Sequence, residues 1–484
     1  MLEKNYNLSN IKHEVLLEVA KLAKNNNLSD VDKLPYQMIE GPQSNFRCCI
    51  YKEREIISQR VRLAQGKSPS PTKENKNIVQ VISSACEGCP IARYVVTDNC
   101  QKCMSKKCQQ ACKFDAISMT KDRAYIEASI CKECGACAQA CPYNAIADLM
   151  RPCKRSCPVD AISMDENNIV IINEERCINC GSCIKDCPFG AISDRSFMVD
   201  VIKLIQTGIP VYAEVAPAIE GQFGKGISIG ALREGIKKLG FVDMYEAAIG
   251  ADIVAVNEAR ELIRAKEDGH KMTTSCCPAF VNMIKKHFPT VIDCVSTTVS
   301  PMTVTARLIK SAHPDAVVVF IGPCIAKKGE VLESVTQDSA DYALTFEELD
   351  VLFEAFEINL NTEERYLQQA SIYGKQFASS GGVTKAVVQA IEEEGLNSED
   401  YKVRQCNGAD ECKKALMILK SGKLPEDIIE GMACVGGCMN GPASRITGPV
   451  TMRNRNELLD QTDGRGIHEN LNNYEKYNFS VHRK

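Results

Sequence analysis

The chain has 484 residues, 44% apolar and 25% charged, with a formal net charge of −4. That length supports two or three domains and a large core, and the small net charge excludes the strongly basic surface of a nucleic-acid binder. No apolar run approaches the roughly 20 residues of a membrane span, and the opening MLEKNYNLSNIKHEVLLEVAKLAKNN reads as no signal peptide.

In chain order, residues 1–80 read as a helical lead-in, because IKHEVLLEVAKLA has helical apolar spacing. KSPSPTKENKN, 67–77, reads as a polar linker. Residues 81–195 are dense in cysteine and repetitive. From 196 to 455 apolar runs alternate with amphipathic segments. IPVYAEVAPAI and AVVVFIGPC read as buried strands, GALREGIKKLG and VNEARELIRAK as helices, a pattern that predicts a parallel α/β arrangement. Residues 456–484 are expected to be a polar, loosely held tail.

Cysteine is the compositional outlier. Of 26 cysteines, eighteen fall between Cys48 and Cys187. Without an export signal they are expected to be reduced thiols of a cytoplasmic protein rather than disulfides, and metal ligation is the leading reading. CKECGACAQACP from Cys131 and CINCGSCIKDCP from Cys177 are both C-x2-C-x2-C-x3-C-P, the bacterial ferredoxin run. Three close thiolates serve one cubane and the fourth serves its neighbour; zinc would use two such cysteines rather than four, twice over.

CQKCMSKKCQQAC supplies a half-motif with a wider middle gap. Pairing it with the 131 run gives two clusters: Cys100, Cys103, Cys108 and Cys141, and Cys131, Cys134, Cys137 and Cys112. Cys157 of RPCKRSCP completes Cys177, Cys180 and Cys183. Cys153 and Cys187 then lack two partners, and CEGC offers Cys86 and Cys89 by arithmetic. Cys48 and Cys49 are expected to be buried thiols, and Cys294, Cys406 and Cys412 structural ones. A row of about four 4Fe-4S clusters conducts electrons, so the α/β part is expected to hold the catalyst it feeds.

Three further segments follow apolar strand-like runs, where open α/β sheets place ligands. TSCCPAF holds Cys276 and Cys277, IGPCIAKKGE holds Cys324, Lys327 and Glu330, and GMACVGGCMNGP holds Cys434 and Cys438. Four of these cysteines could hold one more cubane. Neighbouring residues of an extended segment face opposite ways, so Cys276 and Cys277 are expected to do different jobs.

In order and internal spacing the three segments resemble the signature motifs of the [FeFe]-hydrogenases, in a divergent clostridial-type form with TSCCPAF. The resemblance covers about 205–450. It implies an α/β catalytic domain of two lobes, each with a mainly parallel sheet flanked by helices, behind α+β ferredoxin-like domains. It implies an H-cluster, a 4Fe-4S cubane linked to a two-iron unit with carbonyl, cyanide and a bridging azadithiolate. By motif, Cys277, Cys324, Cys434 and Cys438 would be the cubane ligands, and Cys438 the bridge. Cys276 would shuttle protons, with Glu258, Glu261 and Ser296 as further relays. Lys327, Pro217 and Ala218 would meet cyanides, and Met432 and Phe377 would be apolar walls. Ser300 before Pro301 reads equally as a helix cap.

Implied partners are a ferredoxin-like electron carrier, H2 and protons, and dedicated maturation proteins, with no nucleic acid and no membrane. Departures from the family pattern are Phe280, Ala279, Gly322, Val435, Met302, Ala218 and the NGPA after Cys438; all ligands survive. Two other functions are open. A hydrogenase-like iron–sulfur assembly or electron-transfer protein usually lacks the doubled cysteine, and a hydrogen sensor usually carries an added signalling domain, which is not visible after 450.

Overall fold

The computed structural model describes residues 7–72, 74–86, 88–90, 92–333, 338–360 and 368–483. Two parallel sheets organise the part from 196 onward. The first runs Met244–Glu246, Val211–Val215, Val317–Ile321, Tyr342–Leu344; the second runs Met272–Thr273, Ile428–Met432, Val403–Asn407. All their pairings are parallel. Strands covered on both faces need continuous apolar runs rather than alternation. Val211–Val215 is buried at all five positions, and so is Ile428–Met432. Helices close the layers. Ala248–Glu267 packs on Pro301–Ala312 and on Gly382–Glu393. The architecture is the expected α/β domain with two mainly parallel sheets, preceded by ferredoxin-like units.

Those units are nested. In one, Tyr94–Val96 pairs with Ile146–Asp148 around the hairpin Ile117–Met119/Ala124–Ile126. In the other, Val79–Val81 pairs with Ile192–Asp194 around the hairpin Ile162–Met164/Val170–Ile172. Each pairs first strand with last, so the first unit is an insertion between Cys89 and Cys153 of the second. That explains why CEGC stands so far from the half-motif it completes. The same turn recurs four times: Asp115, Asn144, Asp160 and Gly190 all have positive φ, each three residues after a cysteine. The left-handed region favours Gly, Asn and Asp, and these are the residues found there.

The inserted unit has its own small apolar core around Tyr94, Ile117 and Cys137. The other unit shares the main core with the lead-in helix Leu8–Lys24 and the first parallel sheet. Its loop at Gly181 lies so close that a Cβ would meet Pro442 Cγ at 2.6 Å and Ile325 Cγ1 at 3.0 Å, with φ at +76. Only glycine permits both the conformation and the approach.

Three expectations differ from the structure. The linker 67–77, of which Lys73 lies outside the described residues, is pinned: Ser68 Oγ donates to Asn75 O, and Asn75 N to Ser68 Oγ. The tail is packed rather than loose. Helix Pro449–Leu459 runs across the expected boundary at 455, Ile467 is buried, and Asn470 Nδ2 donates to buried Asp252 at 2.8 Å. Polar composition misled here because the tail docks through a few scattered apolar residues, Ile467, Leu471 and Phe479, together with hydrogen bonds. Cys48 and Cys49 are exposed, not buried; they precede helix Ile50–Ala64, which buries its face through Ile56, Ile57 and Val61.

Candidate metal centre

All 26 cysteines are free. Sixteen of them lie in the two ferredoxin-like units, where several of the expected partners are neighbours. Cys86, Cys89 and Cys187 are the charged neighbours of Cys153, whose thiol burial pushes up to about 11. Cys183 has Cys180, Cys177 and Cys157 beside it, and burial raises its pKa first of all. In the inserted unit Cys112, Cys131, Cys134 and Cys137 line one small pocket. Cys108 neighbours Cys141 and Cys103, and Cys100 packs in the same apolar group.

Each fourth cysteine receives the same bond. Ala116 N donates to Cys112 Sγ, Ala145 N to Cys141, Ala161 N to Cys157 and Ala191 N to Cys187, at 3.2–3.4 Å. Four copies of one N–H···S geometry suit thiolates of iron–sulfur clusters, whose potentials such bonds tune.

The three strand-end segments converge on an apolar cavity of about 90 Å³, several times the roughly 10–15 Å³ that one water needs. Cys277, Cys324, Cys434 and Cys438 line it, with Cys276, Pro217, Ala218, Lys327, Phe377 and Met432. Each cysteine arrives from the carboxyl end of a parallel strand: Met272–Thr273, Val317–Ile321 and Ile428–Met432. Burial raises the Cys324 thiol to about 12, Cys277 adding to it, and lifts Cys434 and Cys438 well above the ordinary thiol value. Bare thiolates are therefore disfavoured in this apolar space. A positively charged metal centre that binds thiolates would reverse that balance, so the donor set fits an iron–sulfur group. Cys180 of the iron–sulfur unit also lines the cavity, which brings one accessory quartet against the central one.

Cys276 and Cys277 do part company. Cys277 packs with Cys324 and Cys180, Cys276 with Phe377 and Met432. The Cys276 thiol is driven well up by burial and then by the Glu258 charge, so it keeps its proton. Glu258 is fully buried, not on the solvated face that a helical glutamate usually occupies. Burial lifts its carboxyl to about 7, and Glu261 adds to the rise, while Ser275 and Ser296 oppose it. Glu258 Oε1 accepts from Ser275 N at 3.0 Å and Ser275 Oγ at 3.2 Å. Glu258 Oε2 is buried without a hydrogen-bond partner. Glu261 Oε1 accepts from Thr298 Oγ1 at 3.0 Å, and Ser275 Oγ donates to Thr298 O at 2.5 Å. Ser296 Oγ accepts from Thr298 N at 3.2 Å. A polar string thus runs from the cavity wall to the surface.

On another side, Lys327 Nζ donates to Ser300 Oγ and Glu330 Oε2, both at 2.7 Å, and Ser300 Oγ donates to Glu330 at 2.6 Å. Burial alone would lower the lysine; Glu330 more than offsets it and the ammonium stays charged. Ser300 also caps helix Pro301–Ala312, so both of its readings hold. Cys406 and Cys412 are buried, and Cys412 Sγ donates to Met432 O at 3.6 Å; Cys294 is half-buried. The sequence reading missed Ser275, Thr297 and Thr298. Ser275 lies inside TSCCPAF and was within reach of a motif argument; the threonines carry no signal of their own.

Residues 209–442 match the family model described as iron only hydrogenase large subunit, C-terminal domain. Residues 124–147 match a 4Fe-4S binding domain and 147–198 an LdpA Fe-S cluster-binding domain. The chain is 26% identical to iron hydrogenase 1 of Clostridium pasteurianum over 282 residues, 48% of this chain and 49% of that protein. It is 27% identical over 325 residues to the periplasmic [Fe] hydrogenase large subunit of Nitratidesulfovibrio vulgaris, 56% of this chain and 76% of that one. A cytosolic Fe-S cluster assembly factor of Candida dubliniensis is 26% identical over 142 residues, covering 27% of this chain and 24% of its own. A solved apo [FeFe]-hydrogenase of Chlamydomonas reinhardtii superposes with a TM-score of 0.45 at 22% identity, covering 56% of this chain and 92% of that one. The chain spans about half the length of the Clostridium protein. It carries a hydrogenase-like domain joined to iron–sulfur binding units.

Proposed function

We propose that this chain is an [FeFe]-hydrogenase that interconverts two protons and two electrons with H2. The observation that carries the reading is the cavity where Cys277, Cys324, Cys434 and Cys438 meet, with Cys276 on its wall and close enough to Glu258 for that charge to raise its thiol. An H-cluster bound there would supply the redox chemistry, joining protons and electrons to make H2 or splitting it. Cys277, Cys324, Cys434 and Cys438 would hold its cubane, with Cys438 shared with the two-iron unit.

The remaining roles belong to the protein. Phe377 and Met432 keep water out. Lys327, held charged by Glu330, directs an ammonium donor toward anionic ligands, and Pro217 and Ala218 shape the opposite wall. Cys276 holds a proton at Sγ beside the cavity, and Glu258, near neutrality in affinity, can give or take one at physiological pH. Ser275, Ser296 and Thr298 bridge it to Glu261. The quartets starting at Cys86, Cys100, Cys131 and Cys157 would hold four accessory clusters that pass single electrons to or from a ferredoxin-like carrier. Dedicated maturation proteins would build the two-iron unit.

The assembly-factor relatives favour a second reading, in which only ordinary cubanes bind and H2 is not handled; the doubled cysteine argues against it. The test is infrared spectroscopy of the matured protein alongside hydrogen evolution from a reduced dye. Carbonyl and cyanide bands with turnover are expected, and Cys276→Ala should keep the bands while losing about 10²–10⁴-fold in rate. A matured chain with cubanes but no such bands would leave the assembly or electron-transfer reading standing.

A further inference from the structure

The polar string ends at Glu261, and the segment 478–483 lies over that end. Backbone bonds hold it there. An antiparallel bridge joins Thr298 and His482, Val299 N donates to Val481 O at 2.8 Å, and Arg483 N donates to Thr297 O at 2.9 Å. Arg307 Nη1 donates to Ser480 O at 2.7 Å and His482 O at 3.1 Å. None of these bonds uses the imidazole of His482. That ring places Nδ1 2.9 Å from Thr297 Oγ1 and 3.6 Å from Glu261 Oε1. Thr297 Oγ1 in turn donates to Glu261 Oε1 at 2.6 Å. The imidazole is 52% exposed and the Glu261 side chain 17%. One side chain therefore touches both water and the relay carboxylate, and it is of the type whose ordinary pKa, about 6.5, suits proton exchange near neutrality.

The geometry points to His482 as the outermost protein group of the proton route, exchanging protons with water and passing them through Thr297 to Glu261. The inference rests on the hydrogenase reading and deepens it. In the inward direction the imidazolium gives its Nδ1 proton to Thr297 Oγ1 while the Thr297 hydroxyl proton passes to Glu261. The ring becomes neutral imidazole, the carboxylate becomes a carboxylic acid, and water at the exposed ring supplies the next proton. No electron moves, and hydrogen oxidation runs the same transfers outward. The charged groups around the ring are Glu261 from helix Ala248–Glu267, Arg307 from helix Pro301–Ala312, and Arg483 on its own segment. Arg483 also feels Glu330, Glu258, Glu333 and Glu261.

The plain alternative is that the imidazole only ties the segment down. Two variants of the full, matured chain separate these roles. His482→Ala removes the ring, and His482→Gln can keep a bond to Thr297 but cannot titrate. Hydrogen evolution is measured across pH, with and without imidazole in the buffer, and infrared spectra are taken from the same samples. Both variants should keep their carbonyl and cyanide bands. Both should lose up to about 10²-fold in rate, the low end for one acid–base group. The loss should grow as pH rises and free hydronium can no longer substitute, and added imidazole should restore much of the rate. Wild-type rates in both variants overturn the inference. So does a loss that is equal at every pH and that imidazole does not repair, the mark of a displaced segment. Absence of carbonyl and cyanide bands from the matured wild-type chain is a separate failure: it removes the hydrogenase reading, and with it the reaction this residue would serve.

Discussion

Gly135 and Gly181 occupy the same place in the two C-x2-C-x2-C runs, and both are left-handed, with φ at +79 and +76. Their surroundings differ. A Cβ on Gly135 would meet only the Tyr94 hydroxyl end, at 2.6 Å, whereas one on Gly181 would strike Pro442 and Ile325. The inserted unit stands on its own small core; the unit that encloses it is built into the α/β domain. Lys286 Nζ donates to Glu174 O and Cys177 O, Lys413 Nζ to Pro158 O, and buried Lys328 bridges Asp194 and Glu348. One repeated motif thus has two settings: one copy stands on its own small core, and the other contributes Cys180 to the wall of the cysteine-lined cavity.

The largest test of that contrast is excision. Tyr94 and Asp148 are antiparallel partners, so a short Gly–Ser link can replace residues 94–148. The shortened chain should fold and lose about half of its accessory iron, two of the four proposed clusters. Iron analysis and dye-driven hydrogen evolution check this; loss of all accessory iron would show that the two units are not separable. Next comes the buried triad. Lys328→Ala leaves buried Glu348 without its cation and Asp194 with only Lys12, 3.6 Å away, and should cost about 3–5 kcal/mol, read as a lower denaturant midpoint.

Third, Gly181→Ala should cost about 1–3 kcal/mol through overpacking and strain. Gly135→Ala should cost about 1 kcal/mol, because a tyrosine tip can move aside. Equal losses would mean that the inner seam is not tight.

The smallest effect belongs to the exposed pair Arg93–Asp148, 2.9 Å apart. Arg93→Ala should change stability by about 0–1 kcal/mol. The Arg93 hydrogen bond holds the Asp148 carboxyl down at about 2. A folded pKa below the ordinary carboxylate value contributes stability above about pH 4, lost as pH falls toward 2. Asp194 is also lowered, Lys328 and Lys12 overcoming its burial, and shares that sign. Acid titration of stability should therefore flatten in Asp194→Asn and hardly change in Asp148→Asn.

Much of this was legible in the residues. The ferredoxin runs and the three strand-end motifs follow from local spacing, because thiolate ligands of one cluster recur at short intervals and strand ends are marked by apolar runs, whereas the pairing of Cys86 and Cys89 with Cys153 and Cys187 was reached only by elimination. Lys327 and Ser300 were likewise within reach, one as a motif member and the other as a cap before proline. The tail was misjudged because its docking uses main-chain atoms of residues 480–483 against 297–299, and backbone pairing between distant segments leaves no trace in composition. Cys48 and Cys49 were misjudged for a related reason: burial of a short segment depends on what covers it.

By itself the sequence determined the two ferredoxin runs, two of the parallel strands and the three strand-end cysteine motifs. Only the tertiary structure decided that one iron–sulfur unit interrupts the other, that Glu258 is buried while Glu261 reaches the surface, and that His482 meets Thr297. The physical reason is range. Ligand spacing and strand periodicity are short-range properties of the chain, whereas burial, desolvation and the closing of a hydrogen-bonded string depend on segments as much as 185 residues apart, brought together only by the packed core.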